Sequence, residues 1–246
     1  MFGIIVGIGI AMMVLERIIP DQQLPHSAMW WLRAVALNLA QLGVVILGGF
    51  AWDIYLQQRS LFSLSLWVDE LMAQGFIGYL LSTFIYYWWH RFRHQSSILW
   101  RCLHQVHHSP VRIEIITAFY KHPLELITNS ILSGVISYTL LGLSIEAAGW
   151  MTLFSALGEF FYHMNIATPR WVGWFIQRPE MHRIHHQRHV HASNYGDLPV
   201  WDMLFGTYHN PPSYQGECGF DPPLEQQMWD MFLMKDVHKN QAAESP

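Results

Sequence analysis

The sequence predicts an all-α integral membrane protein, in which about four transmembrane helices, the last two forming a hairpin, are capped by a cytoplasmic histidine-rich helical region. Hydrophobic residues make up 52% of its 246 residues and charged residues only 13%, about half the charged share of a soluble domain. Apolar runs long enough for a hydrocarbon core alternate with histidine clusters at helical spacing. The length suits one domain, and a formal charge of −4 gives no field to attract nucleic acid.

Residues 1–70 form the N-terminal part of this predicted domain and contain two apolar segments. Residues 3–15 lack the basic start and the small-residue cleavage site of a signal peptide, so we expect a retained anchor. The second segment, Ala34 to Trp52, is long enough to span a bilayer. Tryptophans bracket it, as is typical of segments that end at membrane interfaces.

Residues 71–212 form the predicted catalytic region, which carries the remaining spans. A span from Leu71 to Trp89 ends in an aromatic belt and runs directly into the first histidine cluster. Two more apolar stretches, Leu124 to Leu143 and Ala147 to Tyr162, are separated by a short turn and predict a tight helical hairpin. His90 directly follows the first of these three segments, and His163 directly follows the last.

Basic residues predict the orientation. They concentrate between the third and fourth spans, whereas the loop from Asp53 to Glu70 carries only Arg59, so the positive-inside rule places the histidines and the C-terminus in the cytoplasm and the N-terminus outside. The last part of the domain, residues 213–246, predicts a short helix on the membrane surface at Leu224 to Lys235. A disordered tail is expected from Gln241 to Pro246.

The histidine clusters predict a dinuclear metal site. Positions i, i+3 and i+4 share one helical face, so each cluster can present its imidazoles to a common point. Zinc needs only four ligands and has no redox chemistry, whereas iron uses more positions and can activate oxygen, so this donor-rich site favours iron. Eight histidines, more than one ion needs, form these clusters: His90 and His94; His104, His107 and His108; His182, His185 and His186.

Three other interpretations compete with a dinuclear iron site. A single histidine near a membrane interface is usually an amphipathic side chain with a wet polar end, but three clusters cannot share that explanation. A zinc-dependent hydrolase would need an open site with a glutamate base, and the HExxH motif is absent from the sequence. A metal-binding or transport protein would place its ligands near the bilayer midplane, whereas these lie beside arginines at span ends.

Several further residues are candidates for the site. Glu159 and His163 form an ExxxH pair on one helical face, and a carboxylate in a membrane helix is a functional candidate by default. Glu159 is expected either to complete the coordination sphere or to accept the ring N–H of a ligating histidine, and Asn165 to support the same site. His122 and His189 are expected as either metal ligands or supporting residues, and His191 is a weaker candidate.

These motifs resemble the fatty acid hydroxylase and sterol desaturase superfamily. The resemblance covers residues 84–212, slightly over half of the chain, and the order and spacing of the motifs are highly specific. The motifs are Tyr87-Trp-Trp-His-Arg-Phe-Arg-His94, Leu99-Trp-Arg-Cys-Leu-His-Gln-Val-His-His-Ser109, His163-Met-Asn165, Met181-His-Arg-Ile-His-His186, Asn194-Tyr-Gly196 and Trp201-Asp-Met-Leu-Phe-Gly-Thr-Tyr208.

The resemblance implies a membrane oxygenase with a non-haem di-iron centre, which uses O₂ and two electrons to hydroxylate or desaturate a lipid carbon. Two positions depart from the family pattern: Glu159 stands where some members carry a histidine, and Tyr120-Lys121 where an arginine often precedes the histidine matching His122. By position, the implied metal ligands are His90, His94, His104, His107, His108, His163, His182, His185 and His186.

The substrate and the electron donor are expected from outside the chain. A lipid would arrive from the bilayer between the apolar spans, and sterol, fatty acyl, ether lipid and carotenoid substrates all remain open. The sequence has no haem, flavin or iron–sulfur motif and only two cysteines, so a separate cytochrome, ferredoxin or reductase is expected to supply electrons. Trp201-Asp202 and Phe205 to Tyr208 are expected to fold back over the site, with Gly206 at a tight turn.

Overall fold

The computed structural model describes residues 1–238, and the regular secondary structure among them is entirely helical. The expected tail at 241–246 lies outside the described residues. No β-strand occurs within this range, and one isolated bridge joins Gln187 to Cys218. The predicted all-α class is confirmed. The helices are α1 (Phe2–Ile18), α2 (Ala28–Ala51), α3 (Asp53–Gln57), α4 (Leu71–Gln95), α5 (Ser97–Leu99), α6 (Gln105–His108), α7 (Pro123–Gly134), α8 (Ile145–His163), α9 (Pro179–His185), α10 (Pro199–Phe205), α11 (Pro222–Glu225) and α12 (Met228–Phe232).

Two π-helical segments interrupt the regular helices. Trp100–His104 links α5 to α6, and Val135–Leu140 continues α7 towards the hairpin turn. Such segments are rare and recur at functional sites, because the extra residue per turn re-aims the side chains that follow. Here the first one carries His104 and leads directly into the next two histidines of the cluster. Short 3₁₀ turns occur at Leu64–Leu66, Ile115–Phe119 and Arg170–Trp174.

Polar side chains at the helix starts explain where the helices begin. The Ser27 hydroxyl accepts from the Trp30 N–H at 3.2 Å, and Ser144 caps α8 in the same way. At α7 the cap is His122, whose Nδ1 accepts from the Leu124 N–H at 3.1 Å. Each cap satisfies a backbone donor that the first helical turn leaves unpaired.

The helices α4 and α8 pack closely because small residues line their contact. A Cβ added at Gly75 would lie 2.7 Å from the Ala147 carbonyl oxygen and 2.8 Å from the Met151 nitrogen, so only glycine permits this approach. Small residues at helix crossings are typical of membrane bundles, where close packing replaces the hydrophobic driving force. This contact sets the position of the histidines at the ends of both helices.

All the predicted spans are helical. Among the described residues, however, only one helix is both long enough and apolar enough to cross a membrane. That helix is α2, whose best 18-residue window has a mean hydropathy of 1.9 and is 17% buried. By contrast, α1 has 17 residues, and α7 has 12 before the π-helical segment begins. Large apolar side chains on α1, α2 and α4 point outwards. The four-span count and the cytoplasmic orientation remain predictions.

The C-terminal segment differs from the single surface helix that was predicted. It forms two short helices, α11 and α12, and its apolar residues Leu224, Met228 and Met231 are buried. They pack in one core cluster with Trp30, which stacks on Tyr120 at 4.8 Å between ring centroids. Amphipathic spacing alone does not distinguish a membrane surface from a protein core. The segment therefore covers the protein interior beside the histidine-rich region.

Candidate metal centre

The structure gathers nine histidines into two adjoining groups, in each of which the candidate ligand nitrogens lie within 4.8 Å of one another. The groups meet where the rings of His108 and His186 stack at 4.1 Å between centroids. Each group combines residues from at least three helical segments, so tertiary packing assembles it. The first group is His90, His94, His104, His108 and His185; the second is His107, His163, His182 and His186.

Backbone carbonyls fix the orientation of three of these rings. Nδ1 of His90 lies 2.9 Å from the Tyr195 oxygen, Nδ1 of His185 lies 2.7 Å from the Ser193 oxygen, and Nδ1 of His163 lies 2.8 Å from the Glu159 backbone oxygen. A carbonyl oxygen can only accept, so each Nδ1 carries the proton. The Nε2 lone pair of each neutral ring is therefore left to face the centre of its group.

The inward nitrogens face one another across distances that suit a shared cation. Nε2 of His163 and Nε2 of His182 are 3.0 Å apart, and Nε2 of His185 and Nε2 of His108 are 3.1 Å apart. Other ring nitrogens, including Nε2 of His90 and of His94, are buried without a hydrogen-bond partner. Several of these buried nitrogens have no polar partner other than another ring nitrogen, and a cation between them would be held by their lone pairs. The donor set therefore fits two metal ions.

Burial keeps these imidazoles neutral. It lowers the pKa of His163 to about 3, partly offset by its hydrogen bond to Glu159, and it lowers the pKa of His185 to about 3, offset by the hydrogen bond to Ser193. Both rings are thus unprotonated throughout the physiological range. A metal binds only the neutral ring, so the site needs no proton release at these positions before it is filled.

A buried carboxylate that sequence reasoning missed supports the first group. Oε1 of Glu125 lies 3.1 Å from Nδ1 of His104, and Arg93 pairs with the same carboxylate. Glu125 is 0% exposed. A carboxylate that holds the outer N–H of a ligating histidine fixes the ring and raises its basicity. The signal was present in the sequence, because Glu125 is a carboxylate within the fourth predicted span.

The loop after α9 adopts an unusual backbone to reach the site. His189, His191, Ser193 and Asn194 all have positive φ, between 44° and 67°, a region that costs of order 1–3 kcal/mol for a residue other than glycine. The buried side chain of Asn194 donates to the Met181 and His209 carbonyls and accepts from the His209 N–H. These bonds hold the strained loop in place, so that its carbonyls can orient the histidine rings.

Asp202 fixes the other half of that loop. Its carboxylate accepts from the backbone N–H of Tyr195 at 2.8 Å and of Gly196 at 2.9 Å, and from the Thr207 hydroxyl at 2.6 Å. Gly206, with φ at 74°, ends α10 and turns the chain back. The segment 201–208 thus lies beside the site, as the sequence suggested, and acts by holding the loop that orients His90.

Glu159 is not placed among the ligand nitrogens. Its carboxylate pairs with Lys121, while its backbone oxygen, rather than its side chain, accepts from the His163 ring. His122 also lies outside both groups, because its ring caps α7 and its Nε2 contacts the Phe232 oxygen. A motif in the sequence indicates which residues lie near the site. Packing with the rest of the protein decides whether each side chain points into it.

The remaining candidates lie at the periphery. Asn165 bonds the backbone of Gln22 and accepts from Arg183 at 2.9 Å, so it braces the helix that carries the last histidine cluster. The His189 side chain is 67% exposed and faces Asp221. The His191 ring packs against His108 at 5.1 Å between centroids without joining a group.

Comparison with known proteins assigns this arrangement to a class. Residues 75–207, slightly more than half of the chain and including all nine clustered histidines, match the model of the fatty acid hydroxylase family. The chain belongs to that family. The sequence resemblance to this superfamily is thereby confirmed.

Three relatives show the range of proteins that the chain is similar to. An ornithine lipid hydroxylase of Rhizobium tropici is 31% identical over 59% of this chain and 45% of its own length. The human alkylglycerol monooxygenase is 32% identical over 51% of this chain and 28% of its own length. A very-long-chain aldehyde decarbonylase of Oryza sativa subsp. japonica is 29% identical over 50% of this chain and 49% of its own length. The chain thus aligns with half or less of each relative, and no solved structure matches it.

Proposed function

We propose that this protein is a membrane oxidoreductase that inserts oxygen into, or removes hydrogen from, a C–H bond of a lipid at a pair of iron ions. The observation that carries the proposal is the pair of adjoining, buried histidine groups. Membership of the fatty acid hydroxylase family and the lipid-oxidising names of the relatives favour this reaction over a zinc hydrolase or a metal transporter.

We propose the nine clustered histidines as the ligands, five for one ion and four for the other. When bound, the two irons would supply the oxidising power for an unactivated C–H bond, which offers no charge for acid or base to exploit. In hydroxylation, the lipid and O₂ take up two electrons and two protons and yield the alcohol and water. Desaturation consumes the same electrons and O₂, and yields an alkene and two waters.

The chain's own residues hold the site rigid. Glu125 orients His104 from outside the ligand set, and the backbone oxygens of Ser193, Tyr195 and Glu159 orient three more rings. Asn165 contributes through Arg183 rather than by contact with the ligands. Such outer contacts keep ligands within the narrow geometry that redox chemistry requires. Packing also excludes water, since the seven histidines of these groups outside α4 are at most 3% exposed.

The lipid substrate would come from the bilayer and the electrons from a separate protein. The candidate span α2 and the outward apolar side chains of α1 and α4 support a membrane location. We propose that the metal centre and the C-terminus face the cytoplasm, where a cytochrome, ferredoxin or reductase could reach them. Hydroxylation and desaturation use the same donor set, and the mass of the product distinguishes them.

The test is oxygen incorporation by the purified, iron-loaded full chain. With ¹⁸O₂, a chemical electron donor and a bacterial lipid extract, hydroxylation predicts a product 18 mass units heavier than its parent lipid, and desaturation predicts one lighter by two hydrogens. A His182→Ala variant, which removes a ligand from the second group, should abolish either product. A variant of the exposed His26, His26→Ala, is the matched histidine control and should retain product formation.

Three results would argue against the proposal. Failure of the iron-loaded chain to consume O₂ with any lipid fraction, or equal product from wild type and His182→Ala, would contradict the proposal. Zinc-dependent release of a fatty acid without O₂ would favour the hydrolase instead.

A further inference from the structure

An apolar cavity of about 220 Å³ opens between α4, α8 and the segment after the 3₁₀ turn at 170–174. Phe154, Leu157 and Phe161 of α8 line the cavity, and so does Ile176. Engineered cavities of about 150 Å³ admit benzene. This one is therefore large enough for several methylene groups of a hydrocarbon chain.

The inner wall of the cavity adjoins the second histidine group. Tyr162 lines the cavity, and its ring packs against His182 at 4.5 Å and against His163 at 4.9 Å between centroids. A single aromatic ring therefore separates the cavity from the proposed ligands. No metal ligand lines the cavity itself.

The outer side of the cavity adjoins a strongly exposed aromatic segment. Trp171, Trp174 and Phe175 are 64%, 58% and 71% exposed, and the next residue, Ile176, lines the cavity. Exposed tryptophans and phenylalanines are costly in water and favourable at the boundary between lipid headgroups and chains. A chain that enters beside this segment would come from lipid rather than from water.

A small polar niche interrupts the otherwise apolar lining. Tyr79, Gly158 and Asp197 all line the cavity, and a Cβ built on Gly158 would lie 3.3 Å from the Tyr79 hydroxyl oxygen and 3.5 Å from Oδ2 of Asp197, so both polar atoms lie beside this glycine at the cavity wall. Tyr162 lines the same cavity as Asp197. A carboxylate has about four acceptor sites, so Asp197 can accept a hydrogen bond from a ligand.

We propose that this cavity binds the substrate chain, and that Tyr79 and Asp197 select a lipid with a hydrogen-bond donor, a hydroxyl or an N–H, close to the carbon that is oxidised. Only the statement that a nearby carbon is oxidised rests on the proposed function. The binding of a lipid chain and the selection of a hydrogen-bond donor do not depend on it. A buried acceptor left unpaired by a ligand without a donor carries a desolvation penalty, so the niche would discriminate against plain hydrocarbon chains.

The test is photolabelling of the full chain in detergent, which requires neither turnover nor added metal. The probe is 1-hexadecanol with a diazirine near the hydroxyl end, and the comparison probes are its methyl ether and the corresponding primary amide. We expect the alcohol to label the peptide containing residues 154–161 about tenfold more than the ether does, in line with one buried hydrogen bond. The amide shows whether an N–H serves as well as a hydroxyl.

Two variants test the cavity and the niche separately. Gly158→Val fills the niche, so labelling of that peptide should fall at least about fivefold, whereas Gly149→Val, on the same helix beside the chain terminus, should leave it unchanged. Asp197→Leu should make the alcohol and the ether label equally. The metal content of each variant, measured in parallel, shows that the fold is intact.

The possible failures are distinguishable. Labelling confined to other peptides, or an unchanged signal in Gly158→Val with full metal content, would overturn the cavity assignment while leaving the oxidoreductase proposal standing. An equal response to alcohol and ether in the wild type would overturn the niche. Correct labelling with no oxidation of any lipid would instead contradict the proposed function.

Discussion

Glu125 Oε1 lies 3.1 Å from Nδ1 of His104, and the same buried carboxylate pairs with Arg93. The histidine belongs to the π-helical segment before α6, and the glutamate lies in the first turn of α7. This contact links His104, a proposed ligand of the first ion, to α7, a helix that supplies no ligand. This relation makes the metal centre dependent on the packing of α7.

Replacing Glu125 is expected to weaken metal binding without removing a ligand. Glu125→Gln keeps the shape but loses the negative charge that holds the His104 N–H, so iron affinity should fall about 10- to 100-fold, the usual cost of losing such a partner. Titration of the apoprotein with iron(II), followed by bound-metal analysis, measures the change. Unaltered affinity would show that Arg93 and the backbone suffice to orient the ring.

Glu159→Gln is expected to leave iron occupancy at the wild-type level. Its side chain pairs with Lys121, and only its backbone oxygen, which the substitution retains, contacts His163. Elemental analysis of the two purified proteins makes the comparison. Loss of iron in this variant would assign Glu159 a place among the ligands.

Glu16→Ala is expected to destabilise the protein strongly, although Glu16 lies far from the histidines in sequence. Its fully buried carboxylate accepts from the backbone N–H of Ile115 and of Asn165, both at 3.0 Å. Leaving two buried donors unpaired should cost roughly 2 kcal/mol or more. Thermal unfolding in detergent measures the fall in Tm. The matched control is Glu146→Ala, at the exposed start of α8.

A smaller fall in Tm for Glu16→Ala than for Glu146→Ala would show that α1 does not depend on this carboxylate for docking. A large fall would tie the N-terminal helix to the metal region, since Asn165 also holds Arg183 of α9.

The stability of the protein should depend on pH through Asp197. Burial, reinforced by the nearby Glu159, raises the pKa of this carboxyl from its ordinary 3.8 to about 7. The folded state then retains a proton that the unfolded chain releases, so stability falls as the pH rises from about 4 to about 7. Asp197→Asn removes this loss and should raise Tm more near pH 8 than near pH 5. Equal Tm differences at both values would contradict the assignment.

The sequence predicted the all-helical class and the set of clustered histidines well, because both depend on local spacing. A spacing of four residues, close to one turn of an α-helix, brings His90 beside His94, and the HxxHH pattern has the same effect at α9. Each predicted apolar segment also became a helix. These features need no knowledge of which helix meets which.

Features that depend on tertiary packing were harder to predict. The spacing suggested that the Glu159 side chain reaches the site, but a long-range partner, Lys121, pairs with it instead. Glu125 was overlooked because only the folding of α7 onto the π-helical segment brings it to His104. The division of the histidines into two groups, with His107 and His108 on different sides, likewise emerges only when α4, α8 and α9 converge.

The most direct test of the account is the metal content of the full chain, purified from iron-57-grown cells without added zinc. Elemental analysis and Mössbauer spectroscopy should find about two irons per chain with a spin-coupled signal, as two adjoining histidine groups require. One zinc per chain, or no metal in a protein that keeps its helical content, would contradict the assignment of a di-iron centre.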